Sequence, residues 1–313
     1  MMKKFNNKLP DPLLECTTCP RNCRVNRSSS KLGFCKTGVK ITTGSICAHR
    51  GEEPVISGVH GICNIFFTHC NMQCLYCQNY DISRNTGAII QNEISLEELV
   101  DKIEALLEQG CKSVGFVSPS HYVVQMLQII DEVKRRGYNP VFVYNTNSYD
   151  KKETIEKLEG VIDVYLPDFK YMDEQLGRQL SDTPDYPKFA AAAIGEMYRQ
   201  KGADITLDDE GLITSGLIIR HLVLPGYTEN SISVLKYIAE NFSYKCYISL
   251  MSQYYPTPRV ANEPFLNRRL KPGEYEEVLD EFEKLGFENG WVQDMNSADN
   301  YQPDFLRKHP FER

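Results

Sequence analysis

Short apolar runs alternate with segments of helical periodicity from Gly61 onward. The runs are rich in valine, isoleucine and aromatic residues, as buried parallel strands are. Between them, apolar residues recur at the spacing of one helix face, which predicts amphipathic helices. This alternation is typical of βαβ units around a parallel sheet. Six strands are predicted, at residues 62–68, 113–117, 140–144, 161–166, 217–224 and 247–250.

The predicted helices fill the gaps between these strands. Ser95 begins the clearest of them, because Ser95 and Glu98 match a capping box, and Gly110 ends it. A hairpin is expected around the Asp-Glu-Gly turn of residues 204–214. The other helices are predicted at residues 122–136, 151–158, 186–200, 232–241 and 272–286.

Six strands are too few to close the eight-stranded barrel, but right-handed crossovers still curl such a sheet into an open one. We therefore predict an α/β fold, a partial (β/α)6 TIM-like barrel with a Cys-rich N-terminal extension. Residues 1–60 are expected to form that metal-binding extension, 61–255 the barrel, and 256–313 a C-terminal segment that packs on the barrel's open edge. Ligands of such barrels bind at the carboxyl ends of the strands.

Charge and composition narrow the function. The net charge of −7 shows no basic excess, which argues against a nucleic-acid partner. Residues 1–10 are positive but precede no apolar region, and no run of 18 apolar residues occurs, so we expect a cytoplasmic protein that does not contact the membrane. Eleven cysteines, an odd and clustered set, favour metal binding over disulfides.

Cys70, Cys74 and Cys77 form a CxxxCxxC loop directly after the first predicted strand. This spacing lets one short loop hold an iron–sulfur cluster through three of its irons. Three ligands leave one iron open, and an open iron can bind a small molecule as well as carry electrons. A zinc site with His69 as the fourth ligand is the alternative.

The segment of residues 65–80 resembles the cluster loop of radical S-adenosylmethionine (SAM) enzymes, and Tyr76 matches the aromatic residue that packs near the adenine in that superfamily. The resemblance implies a 4Fe-4S cluster and SAM as cofactors. The open iron then chelates SAM, and an electron from the cluster cleaves SAM to a 5′-deoxyadenosyl radical that abstracts a hydrogen atom. An electron donor such as flavodoxin or ferredoxin is also implied.

Polar residues follow the second and third predicted strands. Ser118 and Ser120 stand where related activating enzymes carry a glycine-rich turn that holds the SAM amino group, and this chain lacks those glycines. The two serines offer similar contacts, or they form only a turn before the next helix. Asn145 offers an amide for hydrogen bonds to the ribose or the carboxylate of SAM.

Charged residues follow the next two strands. Asp168 and Lys170 resemble the Asp-x-Lys segment of pyruvate formate-lyase activating enzymes, and Arg220 begins a run similar to their Arg-x-x-Val-x-Pro-Gly. The resemblance implies that all three contact SAM. The alternatives are a surface ion pair for Asp168 and Lys170 and a buried pair with a barrel aspartate for Arg220.

Four further cysteines, Cys16, Cys19, Cys23 and Cys35, lie close together near the N-terminus. Four thiolates are enough for a zinc site or a second iron–sulfur cluster, and a segment without metal is the third possibility. This pattern resembles the leader of two radical SAM groups, the uncharacterised activating-enzyme-like iron–sulfur proteins and the AmmeMemoRadiSam proteins. Residues 51–58 also resemble the first of these groups.

These observations predict a radical SAM enzyme that removes a hydrogen atom from a substrate at the barrel mouth. The resemblance implies a glycyl-radical enzyme activase, whose substrate is a glycine backbone of a partner enzyme. A small-molecule or modified-residue substrate stays open. The alternative from another class is a non-catalytic iron–sulfur electron carrier or a zinc-stabilised interaction protein.

Overall fold

A computed structural model describes residues 11–299, 302–307 and 309–311. The prediction made on residues 1–10 lies outside the described residues. The strands are β1 (Ile41–His49), β2 (Ile62–Phe67), β3 (Asn92–Ile94), β4 (Ser113–Val117), β5 (Val141–Thr146), β6 (Val164–Pro167), β7 (Thr206–Leu207), β8 (Ile213–Leu222), β9 (Tyr247–Met251) and β10 (Gly290–Val292). The helices are α1 (Asp11–Leu14), α2 (Pro54–Ser57), α3 (Tyr80–Ser83), α4 (Leu96–Glu108), α5 (Val123–Arg135), α6 (Lys152–Glu156), α7 (Glu174–Ser181), α8 (Tyr186–Lys201), α9 (Thr228–Asn241) and α10 (Pro272–Lys284).

The described strands form one sheet in the order β10-β9-β8-β6-β5-β4-β2-β1-β3, with β7 paired to β8. The six predicted strands are all present as β2, β4, β5, β6, β8 and β9, and neighbouring members of this set pair in parallel. The sheet does not close, because β3 and β10 lie at its two ends. The prediction of a partial barrel is therefore confirmed.

Three features of the sheet were not predicted in this form. β1 pairs antiparallel with β2, and β3 pairs with β1, so the sheet extends into the segment assigned to the N-terminal extension. The predicted hairpin is present, but its second strand continues into β8. β10 pairs with β9 and so covers the edge where the C-terminal segment was expected to pack. The division of the chain at residues 60 and 255 stays a prediction.

Local sequence explains the helix ends. Ser95 and Glu98 form the expected capping box, in which the Glu98 amide donates to Ser95 Oγ at 3.2 Å and the Ser95 amide donates to Glu98 Oε2 at 3.1 Å. Gly110 follows with a φ of +108°, which glycine adopts without a steric penalty. Among the described residues, no helix combines the length and apolar character needed to cross a bilayer.

The inner face of the sheet changes character along the barrel axis. Near the amino ends of the strands this face is apolar. It packs against Ile56 of α2, a side chain that lies inside the barrel and is only 3 % exposed. Burial of one such side chain contributes about 1.5–3 kcal/mol. Above this layer the inner face is polar, with Asn145 on β5 and Arg220 on β8. The candidate site therefore lies on the carboxyl-end side of this apolar layer. The apolar layer consists of Ile56, Ile62, Val143, Val164, Leu166, Ile213 and Ile218.

Candidate active site

The loop after β2, which carries the CxxxCxxC cysteines, is held by two asparagines. His69 begins the loop with a φ of +62°, and Asn71 is fully buried. Asn71 Nδ2 donates to the Tyr149 carbonyl at 2.7 Å, and its Oδ1 accepts from Asn147 Nδ2 at 2.9 Å. These bonds tie the loop to the segment after β5, so protein contacts fix its path.

The three loop sulfurs each have a polar partner. Burial raises the pKa of the Cys70 and Cys74 thiols, so both stay protonated at neutral pH unless a metal displaces the proton. Hydrogen bonds to sulfur stabilise metal thiolates and tune their potential. The contacts are Asn147 Nδ2 to Cys70 Sγ at 3.3 Å, Ser181 Oγ to Cys74 Sγ at 3.0 Å, and Ser83 Oγ to Cys77 Sγ at 3.2 Å.

This donor set fits an iron–sulfur cluster. Thiolates are its usual ligands, and each cysteine of a cubane binds a different iron, so the sulfurs need not converge on one point. In the described part of the chain, no three His, Cys, Asp or Glu side chains surround a single metal ion. His69, the possible fourth zinc ligand, donates from Nδ1 to the Arg84 carbonyl at 3.1 Å. This bond occupies Nδ1 alone and is compatible with a metal at Nε2, so the contact does not discriminate between zinc and a cluster.

A cavity of about 800 Å³ lies beside the loop, at the carboxyl ends of the parallel strands. Cys70, Cys74 and Cys77 line it. Ser120 does not, because it is fully buried and its Oγ lies 3.2 Å from Thr146 Oγ1. The structure thus separates the two serines. The other residues predicted to contact SAM line the cavity: Tyr76, Ser118, Asn145, Asp168, Lys170 and Arg220.

Arg220 is the centre of a charged network in the cavity wall. Its Nε lies 2.9 Å from Asp168 Oδ1, its Nη1 lies 2.9 Å from Glu52 Oε2, and its Nη2 donates to Asn145 Oδ1 at 2.7 Å. Lys170 Nζ pairs with Asp168 Oδ2 at 2.7 Å. Arg220 thus makes the buried ion pair that the sequence left open, and the pair of Asp168 and Lys170 is at most 18 % exposed rather than on the surface.

The network keeps its members charged. Burial by itself raises the pKa of Asp168, but Arg220 and Lys170 outweigh it and hold that pKa below its ordinary value. Burial by itself lowers the pKa of Lys170, but the Asp168 carboxylate outweighs burial and holds that pKa above its ordinary value. With Glu52 opposite Arg220, two cations face two carboxylates. The wall therefore carries fixed charges that balance.

Tyr76 is joined to the cysteine loop through hydroxyl groups. It is 5 % exposed, and its hydroxyl lies 2.5 Å from that of Tyr171. The Tyr171 hydroxyl lies 2.7 Å from Ser181 Oγ, which contacts Cys74 Sγ. The position of the Tyr76 ring beside the cavity is therefore fixed by the same contacts that hold the Cys74 sulfur.

Residues 64–238, more than half of the chain, match the family model of the radical SAM superfamily. The chain belongs to the radical SAM superfamily. Membership implies a 4Fe-4S cluster and SAM as cofactors and makes the protein a radical SAM enzyme. It decides against the non-catalytic electron carrier and the zinc-stabilised interaction protein.

Several known proteins resemble this radical SAM enzyme. It is 30 % identical to the uncharacterized protein MJ0674 of Methanocaldococcus jannaschii over 87 % of this chain and 75 % of that protein. The structure of Streptococcus suis SuiB bound to S-adenosylmethionine is 17 % identical, with a TM-score of 0.49, over 74 % of this chain and 50 % of that one. A domain of the pyruvate-formate lyase-activating enzyme from Bacteroides vulgatus is 13 % identical, with a TM-score of 0.39, over 55 % of this chain and 93 % of the domain. At these TM-scores neither structure bears on the reaction, and this chain corresponds to about half of the SuiB chain.

The four N-terminal cysteines of this radical SAM protein line a second cavity, of about 10 Å³. Arg27, which is 3 % exposed, lies among them. Its Nη1 donates to the His121 carbonyl at 2.7 Å. Burial raises the pKa of Cys19 to about 12. The sulfur contacts are Arg27 Nε to Cys16 at 3.2 Å, Arg27 Nη2 to Cys35 at 3.9 Å, Thr37 Oγ1 to Cys35 at 2.8 Å, and the Phe34 amide to Cys23 at 3.4 Å.

Two contacts join this N-terminal thiol group to the radical SAM loop. Arg21 Nε donates to the Asn71 carbonyl at 2.9 Å, and the Arg21 guanidinium lies 3.6 Å from the centre of the Phe34 ring. His121, whose carbonyl binds Arg27, donates from Nε2 to the Thr68 carbonyl at 2.9 Å. The segments that carry the two groups of cysteines are therefore connected by hydrogen bonds through Arg21 and His121.

Sequence reasoning missed four residues of the radical SAM site. Glu52 pairs with Arg220, Asn147 contacts Cys70, and His49 and Glu53 line the large cavity. The adjacent carboxylates before Pro54 were a usable signal, because two acidic residues at the start of an otherwise apolar segment need partners. Asn147 stands two residues after Asn145, and only tertiary structure shows which amide reaches the sulfur.

Proposed function

We propose that Cys70, Cys74 and Cys77 ligate the three irons of a 4Fe-4S cluster and leave the fourth to SAM. The observation that carries this assignment is the position of the three sulfurs, each with its polar partner, in the wall of an 800 Å³ cavity. When bound, the cluster and SAM supply the electron and the 5′-deoxyadenosyl radical that removes a hydrogen atom from the substrate. The electron comes from a small redox protein such as flavodoxin or ferredoxin.

The residues of the cavity hold SAM in this proposal. Tyr76 offers an aromatic face for the adenine, and Asn145 offers a hydrogen-bonding amide. Asp168, Lys170 and Arg220 supply fixed charges for the amino and carboxylate groups of methionine. Ser118 provides a hydroxyl and backbone groups at a left-handed turn with a φ of +52°. Ser120 acts indirectly, through its contact with Thr146.

The reaction class is hydrogen-atom abstraction from a glycine backbone, as in a glycyl-radical enzyme activase. The resemblance of the Asp-x-Lys and Arg-x-x-Val-x-Pro-Gly runs supports this class. The volume of the cavity also supports it, since about 800 Å³ is at the upper end of the range for small-ligand sites and leaves space beside SAM.

Anaerobic reconstitution with iron and sulfide, followed by SAM and dithionite, tests the chemistry. We expect 5′-deoxyadenosine and methionine in equal amounts. A peptide whose glycines are deuterated at the α-carbon should transfer deuterium to 5′-deoxyadenosine. No 5′-deoxyadenosine from a protein that holds its cluster would contradict the proposal, and cleavage without deuterium transfer would contradict the activase class.

We further propose that Cys16, Cys19, Cys23 and Cys35 hold a second metal centre, either zinc or an iron–sulfur cluster. The supporting observation is Arg27, a buried cation whose described hydrogen-bond partners are two sulfurs and a carbonyl, because thiolates of a metal centre balance such a charge. Iron, zinc and acid-labile sulfide should be measured in the natural protein and in a Cys16→Ala, Cys19→Ala double variant. Equal contents of all three would contradict the centre.

A further inference from the structure

Two buried polar atoms beside the large cavity have no hydrogen-bond partner among the described residues. They are Glu53 Oε2 and His49 Nδ1. Glu53 is 8 % exposed, His49 is 7 % exposed, and both residues line the cavity. A buried polar atom without a partner destabilises the protein, so such atoms persist mainly where a ligand or water completes them.

The fold places both residues on the open side of the barrel. His49 ends β1, which lies near one end of the sheet, and Glu53 immediately precedes α2. Ser249 on β9, near the other end of the sheet, makes a side-chain hydrogen bond with the Glu53 carboxyl group and also lines the cavity, so Oε2 is the carboxyl oxygen left without a partner. The two unpartnered atoms therefore lie between the two ends of the sheet, where the Phe311 ring is centred 4.2 Å from the His49 ring.

The surrounding charges indicate which ligand group fits. Glu52 and Arg220 lie close to both residues but are already paired with each other, and Asp168 pairs with Lys170. Burial raises the pKa of Glu53 and lowers that of His49, so both favour their neutral forms. A neutral carboxyl and a neutral imidazole each donate and accept hydrogen bonds. An uncharged group with the same two capacities, such as an amide, matches them.

We propose that Glu53 and His49 form a substrate subsite that binds a backbone amide of a polypeptide. This inference rests on the proposed function, in which the substrate is a glycine backbone. In this subsite Glu53 pairs with the amide, and His49 binds a neighbouring N–H or carbonyl. The subsite lies in the same cavity as the three loop cysteines, but His49 pairs with Ile62 at the start of β2, at the opposite end of that strand from the cysteine loop. It would therefore hold a part of the peptide that is remote from the reacting glycine.

The test uses the only tryptophan of the chain, Trp291, which lines the same cavity. The SAM-loaded holoprotein is titrated without oxygen with N-acetyl-triglycine amide, and the emission of Trp291 is recorded. We expect saturable binding, with no competition from acetate or methylammonium at equal concentration. An absence of saturable binding, or loss of the peptide-induced change in Trp291 emission when acetate is added at equal concentration, would overturn the subsite.

Variants give the second part of the test. Glu53→Leu should weaken peptide binding at least about tenfold, because it removes the hydrogen bonds and keeps the volume. Glu53→Gln should stay within about threefold of the natural protein, since glutamine is neutral and still donates and accepts. His49→Leu should also weaken peptide binding at least about tenfold, and it serves as the test if Glu53→Leu does not fold. Glu283→Leu, on the exposed side of α10, is the matched control.

Unchanged peptide affinity in folded Glu53→Leu and His49→Leu would overturn the proposal. The binding measurement does not require radical chemistry. A protein that binds the peptide but makes no 5′-deoxyadenosine would therefore contradict the proposed function and leave the subsite in place. If the natural protein transfers deuterium from glycine, and both leucine variants bind the peptide as tightly as the natural protein, only the subsite is contradicted.

Discussion

The two groups of cysteines lie in very different surroundings. The loop sulfurs at Cys70, Cys74 and Cys77 open on a cavity of about 800 Å³, whereas the four N-terminal sulfurs line one of about 10 Å³, room for roughly one water. Neutral amides and hydroxyls contact the loop sulfurs, whereas the N-terminal sulfurs contact the cation Arg27 in addition to such neutral groups. In metalloproteins, catalytic sites keep an open position and structural sites are closed.

This difference assigns separate tasks to the two groups. The loop cysteines, the open group, border space for a large ligand, while the four N-terminal cysteines, the closed group, border space for about one water. Yet Arg21 joins the closed group to the Asn71 carbonyl inside the loop. The N-terminal group should therefore support the loop without taking part in the chemistry, and each variant below tests that division.

The largest effect is expected from Cys77→Ala. With one of the three proposed ligands removed, the protein no longer holds a cluster with one open iron for SAM. Formation of 5′-deoxyadenosine should therefore fall to the level of protein-free controls. The assay is anaerobic SAM cleavage with dithionite. Cys246→Ala, which removes a buried thiol at the start of β9, is the control and should keep the activity. Full cleavage by Cys77→Ala would refute the ligand assignment.

Arg27→Met should act on the closed group. It removes the buried cation and leaves the thiolates without a countercharge, which costs about 3 kcal/mol when a buried pair is broken. If the proposed N-terminal centre is present, we expect loss of its metal and faster proteolysis within residues 15–37, with SAM cleavage reduced far less than in Cys77→Ala. Arg178→Met, at an exposed position of α7, is the control. Abolished cleavage with unchanged metal content would contradict the division of tasks.

Asn147→Ala should act on the open group without removing a ligand. Asn147 holds both the Asn71 side chain and the Cys70 sulfur, and loss of such an outer contact typically costs about 10–100-fold in metal affinity or activity. Iron release to a chelator and the rate of SAM cleavage measure the effect. The control is Asn241→Ala, whose amide bonds only to Tyr237 of the same helix. Iron retention equal to that of the natural protein would show that Asn147 is not needed to hold the loop.

Most of the fold was predictable because its strands are continuous apolar runs with helices between them. β1 was missed, since threonine, glycine and serine interrupt its pattern and its pairing with β2 is a long-range contact. The loop cysteines were found from their spacing, which is local. Glu52 and Glu53 were not. Two adjacent carboxylates before Pro54 indicate that partners are needed, but no local pattern shows that α2 turns into the barrel and carries them to the cavity.

The smallest expected effect concerns His121, which lies between the two groups. Its Nε2–H donates to the Thr68 carbonyl, and its buried Nδ1 has no partner among the described residues. Burial lowers the pKa of His121 to about 3, because an imidazolium would place a second N–H where no acceptor is available. The unfolded chain, with a pKa near 6.5, therefore binds the proton first. Stability should be fully present above pH 6.5 and should fall as the pH drops toward 3.

Between pH 7.5 and 5.5 this linkage should lower the free energy of unfolding by about 1 kcal/mol. Urea unfolding at the two pH values measures it. His49, His69 and His221 also have a lowered pKa and add the same sign, so the informative quantity is the difference from His121→Gln. Glutamine keeps the donor toward Thr68 but does not titrate, so its pH dependence should be weaker by that amount. An equal dependence would mean that His121 is protonated in the folded protein, and the contact between the two cysteine groups would then carry a charge.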